Sequence, residues 1–154
     1  MKKIIFVCQG NICRSPMGMF YLAKRLADLN LSSEYAVSSA ALETSTTGED
    51  MYGLSKEQLD KHMIPYGVHY AHKITMQEIL NADYVLVMER YQKIDLKRMM
   101  SGTNVSKIHC LLEFTDDNRD IADPFYTRDF ETAYLDIAKG VEGFINKEIL
   151  TKTE

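Results

Sequence analysis

Short apolar runs alternate along the chain with longer segments in which apolar residues recur every three or four positions. The short runs predict buried strands at residues 3–7, 35–39, 83–88 and 107–112. The longer segments predict helices at residues 17–29, 55–63, 75–82, 91–100 and 130–149. Two further stretches, residues 44–52 and 116–128, are expected to be loops. Loops as long as the second one are often functional.

This alternation of strands and helices favours an α/β fold, a doubly wound, four-stranded parallel sheet with helices on both faces. A chain of 154 residues is long enough to bury a sizeable core, and we expect one domain spanning residues 1–154. In such sheets, ligands bind at the carboxyl ends of the strands. The loop that follows the first strand is therefore the first place to look for chemistry.

That loop reads Cys-Gln-Gly-Asn-Ile-Cys-Arg-Ser-Pro at residues 8–16, between a strand and a helix. Strand, tight loop and helix is the geometry that binds a phosphate group on backbone N–H groups. The sequence therefore predicts a phosphate-binding loop after strand one. The residues expected to bind the phosphate are Gln9, Gly10, Asn11, Ile12, Cys13 and Ser15.

Cys8 at the loop entrance and Arg14 at its exit add chemistry to this phosphate site. A thiolate is a strong nucleophile, and converging N–H groups and a guanidinium stabilise it. The same groups then stabilise the charge on the transferred phosphoryl group. Taken alone, the spacing also fits a buried cysteine that ends a core strand and a surface arginine. The residues around the pair favour a thiolate that attacks a phosphate ester.

Four residues of the loop are expected to shape it. Gly10 is expected to adopt backbone angles that a side chain forbids, and Asn11 to tolerate a left-handed conformation. Ser15 is expected to cap the following helix, with Pro16 at its first position. The Ser15 hydroxyl is also expected to bond the Cys8 sulfur and to help the thiolate leave again.

Composition and charge narrow the class of protein. The net charge of −4 argues against nucleic acid as a partner, and no apolar run is long enough to span a membrane. Three cysteines do not make a secreted disulfide framework, so a reduced, cytoplasmic protein is expected. The four histidines lack partners at metal-ligand spacing, and we expect neither a metal nor a cofactor. Nothing in the sequence assigns an oligomeric state.

The long loop at residues 116–128 contains four candidates for a general acid, Asp116, Asp117, Asp120 and Asp123, and the two aromatic residues that follow Asp123 favour it. A carboxylic acid over the cleft protonates the leaving oxygen and then acts as a base on the hydrolytic water. Phe125 and Tyr126 are expected to form the wall of a pocket for an aryl group, or alternatively a small satellite core.

Residues 7–17, Val-Cys-Gln-Gly-Asn-Ile-Cys-Arg-Ser-Pro-Met, resemble the signature loop of the low-molecular-weight protein tyrosine phosphatases. Residues 121–126, Ile-Ala-Asp-Pro-Phe-Tyr, resemble that family's downstream motif, which carries the general acid. The resemblance covers essentially the whole chain. It implies a phosphomonoesterase that hydrolyses phosphotyrosine or other aryl phosphates through a cysteinyl-phosphate intermediate.

The resemblance also implies roles for three supporting residues. Ser39 matches a serine that supports the loop asparagine, and His69 matches a histidine that helps to order the loop. Cys13 matches a cysteine that forms a reversible, protective disulfide with the nucleophile, although a thiol that only packs the loop is equally compatible with the sequence. Cys110 lies in an apolar strand and is expected in the core.

Two positions depart from the family pattern. Ser45 stands about where many members have tryptophan or tyrosine as one wall of the aryl pocket, and nearby Tyr52 is a candidate substitute. Glu89 follows the third strand where aspartate is usual. Both changes leave the loop chemistry intact and bear on the choice of substrate.

Two other functions stay open at this point. An arsenate reductase of the same fold begins with a similar loop, but it needs two further cysteines to relay a disulfide, and only Cys110 lies outside the loop. A phosphate-binding module with little turnover is the second alternative. It needs neither a nucleophile nor an acid, whereas this chain has candidates for both.

Overall fold

The computed structural model describes residues 1–152 and contains a four-stranded sheet in which all neighbouring strands are parallel. The order of the strands in the sheet is β2-β1-β3-β4. The strands are β1 (Lys2–Cys8), β2 (Tyr35–Ala41), β3 (Tyr84–Val87) and β4 (Ile108–Cys110). Because β2 and β3 pair with opposite edges of β1, the strand order reverses beside β1, where ligands bind in such sheets.

Within residues 1–152, six α-helices connect and follow these strands. They are α1 (Arg14–Asp28), α2 (Gly53–Lys61), α3 (Met76–Asn81), α4 (Arg90–Met99), α5 (Pro124–Thr127) and α6 (Phe130–Phe144). The chain continues from α6 through a π-helical turn, Ile145–Ile149, into a short 3-10 helix, Leu150–Lys152. Among residues 1–152, none of the helices combines the length and the apolar character that crossing a bilayer requires.

Alternate residues of β1 point into two separate cores, which is why residues 4–7 of this strand are all apolar. Ile4 and Phe6 pack in a core with residues of α1, α2 and α6, whereas Ile5 and Val7 pack in a second core with residues of α3 and α4. The prediction of a doubly wound sheet with helices on both faces is therefore confirmed. β1 is buried on both faces, and Cys8 lies at its carboxyl end. Ligands of such sheets bind at the carboxyl ends of the strands.

Three differences from the predicted elements are the most informative. β4 stops at Cys110 because the next four residues form a 3-10 helix, Leu111–Phe114, whose apolar side chains continue the same run. The predicted loop at residues 116–128 contains α5, with Asp123 as its N-cap. α1 begins at Arg14 and not near residue 17, so Ser15 and Pro16 are its second and third residues. The prediction that Ser15 caps this helix is wrong, since its hydroxyl is bonded elsewhere.

Candidate active site

Cys8 ends β1 and is buried, with its sulfur facing the first turn of α1. The Ser15 hydroxyl lies 3.0 Å from Cys8 Sγ, and the Ser15 backbone N–H donates to the same sulfur at 3.4 Å. One of the N–H groups that a helix leaves unpaired at its start therefore points at the sulfur. Both contacts bring a hydrogen-bonding group to the sulfur, and the Ser15 hydroxyl lies where the sequence led us to expect it.

The side chain of Asn11 links the middle of the loop to the start of α1 and to β2. Its φ of 59° lies in the left-handed region that asparagine tolerates, which confirms the prediction for this residue. Its side-chain Nδ2 donates to Ser15 Oγ at 2.7 Å and to Ser39 Oγ at 3.0 Å. Because Ser15 accepts a bond from Asn11, its own proton is available to Cys8 Sγ. Asn11, Ser15 and Cys8 thus form a directed hydrogen-bond chain.

His69 and Ser39 both contact Asn11, as the resemblance implied. His69 Nε2 donates to the Asn11 carbonyl oxygen at 2.8 Å, and burial lowers the pKa of His69, so the ring is neutral at neutral pH. The Asn11 side-chain oxygen also accepts from the His72 backbone N–H at 3.3 Å. The loop conformation is therefore supported from β2 and from the segment before α3.

Replacing Ser39 with alanine tests this support. In Ser39→Ala, the buried Asn11 Nδ2 loses one acceptor, so the free energy of unfolding should fall by about 1–2 kcal/mol. The loosened loop should lower kcat by about tenfold. Ser38→Ala is the matched control, because Ser38 is the adjacent, exposed residue of the same strand. Denaturant titration and steady-state kinetics measure both effects, and equal behaviour of the two variants would contradict the bracing role.

Gly10 is not in the left-handed region, so the conformational reason given for this glycine was wrong. The structure gives a steric reason instead. A Cβ atom at Gly10 would lie 3.1 Å from Thr46 Oγ1, whose hydroxyl donates to the Gly10 carbonyl oxygen at 2.5 Å. The glycine thus allows the segment after β2 to approach the loop closely.

Arg14 is almost completely buried, and its guanidinium is held by three acceptors. Nη1 donates to the Ile121 carbonyl oxygen at 2.6 Å and lies 3.1 Å from Glu89 Oε1, and Nη2 lies 3.4 Å from Asp123 Oδ2. Burial opposes the charge, but the acidic groups of Cys8, Asp123 and Glu89 outweigh it and raise the pKa of Arg14. A buried, permanently charged fork beside Cys8 is suited to binding phosphate oxygens.

Asp123 is brought to the same place by α5. Its Oδ1 accepts from the Phe125 backbone N–H at 3.0 Å, which caps the helix, and its Oδ2 faces Arg14. Pro124 occupies the first helical position, where its missing N–H costs nothing. The carboxyl group is one-fifth exposed and therefore remains accessible from the cleft.

These groups meet in an open cleft of about 220 Å³. Phe125 and Tyr126 line it with their aromatic side chains, and their contact with an aryl group of the substrate stays a prediction. The other lining residues are Cys8, Gln9, Gly10, Ile12, Cys13, Arg14, Glu43, Ser45, Thr46 and Asp123. Asn11 and Ser15 are not among them, since both are fully buried behind the loop. Their direct part in phosphate binding stays a prediction.

Tyr52 does not replace the missing aromatic residue near Ser45. Its ring packs edge-on against Phe125 at 6.0 Å and stacks on Phe130 at 5.7 Å, and it does not line the cleft. Tyr52 therefore supports the aromatic wall from behind. The segment around Ser45 leaves the cleft polar on its side, with Glu43, Ser45 and Thr46.

Cys13 and Cys110 are both free and buried, like Cys8. Burial raises the pKa of Cys13 to about 12 and that of Cys110 to about 11, so both are protonated thiols at neutral pH. Cys110 lies in the core, as expected. The disulfide between Cys8 and Cys13 stays a prediction, because the sulfurs are unbonded here.

A second cavity of about 560 Å³ is larger than the cleft but contains none of the predicted chemistry. It lies against α4 and the segment before α5, and Cys8, Arg14 and Asp123 do not line it. Within residues 1–152, no three histidine, cysteine or acidic side chains are grouped as a metal site would require. The candidate active site is therefore the smaller cleft, because it contains Cys8, Arg14 and Asp123.

Sequence reasoning missed four contacts of the site. The Ile121 carbonyl group and Glu89 bind Arg14, and neither contact has a local signal, because a long stretch of chain separates the partners. Glu43 lines the cleft and Thr46 holds Gly10, both from the segment after β2. A parallel pairing of β2 with β1 puts that segment beside the loop, so the predicted topology contained a signal for these two.

Comparison with known proteins agrees with this geometry. A family model described as "Low molecular weight phosphotyrosine protein phosphatase" matches residues 3–154. The chain belongs to this family. The resemblance seen in the two motifs is confirmed, and with it the prediction of a phosphatase that uses a cysteine.

Relatives and solved structures of the family match over nearly the whole chain. The low molecular weight phosphotyrosine protein phosphatase of Homo sapiens is 32% identical over 151 residues, which is 95% of each chain. The crystal structure of YfkJ from Bacillus subtilis covers 100% of this chain and 98% of its own, with a TM-score of 0.95 and 28% identity. That of DARP, a drosophila arginine phosphatase, covers 95% of this chain and 96% of its own, with a TM-score of 0.84 and 27% identity.

Proposed function

We propose that the chain hydrolyses phosphotyrosine in proteins, and small aryl phosphates, through a phosphocysteine formed on Cys8. The observation that carries this proposal is the meeting of Cys8, Arg14 and Asp123 in one cleft with an aromatic wall. These three residues come from the end of a strand, the start of a helix and a distant loop. Nucleophile, anion-binding group and proton donor are the parts that phosphate-ester cleavage requires.

In the first step, the Cys8 thiolate attacks phosphorus and the bond from phosphorus to the aryl oxygen breaks. Arg14 and the loop N–H groups hold the equatorial oxygens, where negative charge is concentrated. Asp123, as the carboxylic acid, gives its proton to the leaving oxygen, and the phenol departs. The phosphoryl group replaces Asp123 as the partner of Arg14 Nη2.

In the second step, the Asp123 carboxylate takes a proton from water as its oxygen attacks the phosphocysteine. The S–P bond breaks, inorganic phosphate leaves, and Cys8 is again a thiolate. The Ser15 hydroxyl, 3.0 Å from the sulfur and oriented by Asn11, stabilises the charge that returns to it. The chain residues therefore supply every proton transfer of the cycle.

Phosphate release from a phosphotyrosine peptide, with EDTA present and the protein freshly reduced, tests the proposal. We expect steady turnover and, after rapid acid quenching, a phosphorylated peptide that contains Cys8. A phosphoserine peptide of the same sequence should react much more slowly, because the short alkyl ester places its phosphorus farther from the buried sulfur. Tight binding without phosphate release would instead support the binding module.

Phosphoarginine is a second candidate substrate, favoured by the likeness to the drosophila arginine phosphatase. A phosphoarginine peptide run beside the phosphotyrosine peptide distinguishes the two by the ratio of their kcat/KM values. The aromatic wall of Phe125 and Tyr126 favours phosphotyrosine. Arsenate reduction is disfavoured because Cys110 is buried in β4 and does not line the cleft.

We further propose that residues 1–154 work as one domain in the reducing cytoplasm. Three free cysteines support the assignment of a reducing compartment, because the proposed thiolate has to stay unoxidised. The proposed partner is a phosphotyrosine-containing protein. No metal or cofactor has a part in the proposed steps.

A further inference from the structure

Glu43 lines the cleft, and its carboxylate takes no part in the proposed chemical steps. It follows β2 and lines the cleft together with Phe125 and Tyr126. The cleft is meant for a phosphate group with two negative charges, and a carboxylate near such a group raises the free energy of the complex by repulsion. A cation beside Glu43 in the complex would offset this repulsion.

Glu43 is fixed to the loop by main-chain and side-chain bonds. Its backbone N–H donates to the Gln9 carbonyl oxygen at 3.3 Å, and its Oε2 accepts from Gln9 Nε2 at 2.7 Å. Ser45 Oγ donates to its Oε1 at 2.6 Å. The Gln9 side chain is held in turn by the Tyr91 hydroxyl at 2.6 Å. The carboxylate is thus pre-positioned before any substrate binds.

This carboxylate is charged and has no cation beside it. Hydrogen bonds, chiefly from Ser45 and also from Gln9, lower the pKa of Glu43. In the part of the chain from residue 1 to residue 152, no lysine, arginine or histidine pairs with Glu43. Arg14 is the one cation among the lining residues, and Glu89 and Asp123 already bind it. Each oxygen of Glu43 still has a free lone pair for a donor.

We propose that Glu43 selects phosphotyrosine segments in which a lysine or arginine neighbours the phosphotyrosine. This inference rests on the proposed function and names the substrate class of the same cleft. The basic side chain of the substrate pairs with Glu43 while Arg14 holds the phosphate group, so the repulsion between Glu43 and the phosphate is offset. Substrates with acidic neighbours meet the like charge of Glu43 and bind less well.

Two phosphotyrosine peptides that differ only in the two residues flanking the phosphotyrosine, lysine in one and glutamate in the other, test the proposal. In wild type at low salt, kcat/KM should be about fivefold higher for the lysine peptide. Glu43→Gln should bring the ratio close to one, and Glu43→Lys should reverse it. Added salt should shrink the wild-type ratio, because the pair is partly exposed to solvent.

Glu49→Gln is the matched control, since it removes the same charge from an exposed glutamate of the same segment that does not line the cleft. It should keep the wild-type ratio. If wild type turns over both peptides with equal kcat/KM, or if Glu43→Gln keeps the wild-type ratio, the proposed selection by Glu43 is wrong and the proposed function still stands. Absence of turnover in wild type overturns the proposed function. The selection is then tested by binding: the ratio of the Kd values of the two peptides is measured on wild type and on Glu43→Gln.

Discussion

Cys8→Ser should abolish turnover, with kcat on p-nitrophenyl phosphate falling by at least about 10⁴-fold. A serine hydroxyl at this position stays protonated, because the neighbouring donors, Ser15 Oγ and Ser15 N–H, stabilise a thiolate and do not remove a proton from an alcohol. The loop and Arg14 are unchanged, so the variant should still bind the product. Inorganic phosphate should therefore protect the variant and the wild type against thermal unfolding to a similar extent.

Cys110→Ser is the control for this first prediction. Cys110 is also a buried cysteine at the end of a strand, but it lines the other cavity and not the cleft. Its kcat should stay within about threefold of wild type, even if the melting temperature falls. Full turnover in Cys8→Ser, or equal losses in the two variants, would show that Cys8 is not the nucleophile.

Asp123→Asn should lower kcat on a phosphotyrosine peptide by about 10²–10³-fold, because asparagine cannot give a proton to the leaving oxygen. The loss should be smaller on p-nitrophenyl phosphate, since p-nitrophenol is a much stronger acid than tyrosine and its oxygen departs with less protonation. Asparagine keeps an oxygen that accepts from the Phe125 N–H, so α5 should keep its N-cap. Stopped-flow release of the phenol separates this step from hydrolysis of the phosphocysteine.

Asp116→Asn is the matched control for Asp123. Asp116 lies in the same connection, is 93% exposed and does not line the cleft. Its substitution should leave both substrates unaffected. A loss in Asp123→Asn that is the same for both leaving groups would argue that the residue only positions Arg14, to which its Oδ2 is bonded at 3.4 Å.

The loop at residues 8–16 contains both locally encoded features and features that distant residues decide. Cys8, Asn11 and Arg14 were found from the sequence because their chemistry depends on short-range geometry. A strand, a left-handed residue and a helix start are local features, and local sequence encodes them. The conformational reason for Gly10 was wrong because Thr46, which decides that position, acts through space. The N-cap role of Ser15 was also wrong, whereas its predicted contact with the Cys8 sulfur is present.

The amino-acid sequence by itself determined the parallel α/β sheet, the phosphate loop and the candidate acid, because alternating patterns and short motifs carry that information. Only the tertiary structure decided what surrounds Arg14 and what lines the cleft beside Cys8. Ile121 lies 107 residues from Arg14, and Gln9 lies 34 residues from Glu43. Such pairs form because packing on both faces of the sheet brings its carboxyl edge and the following loops together. No local sequence pattern encodes a contact between residues so far apart in the chain.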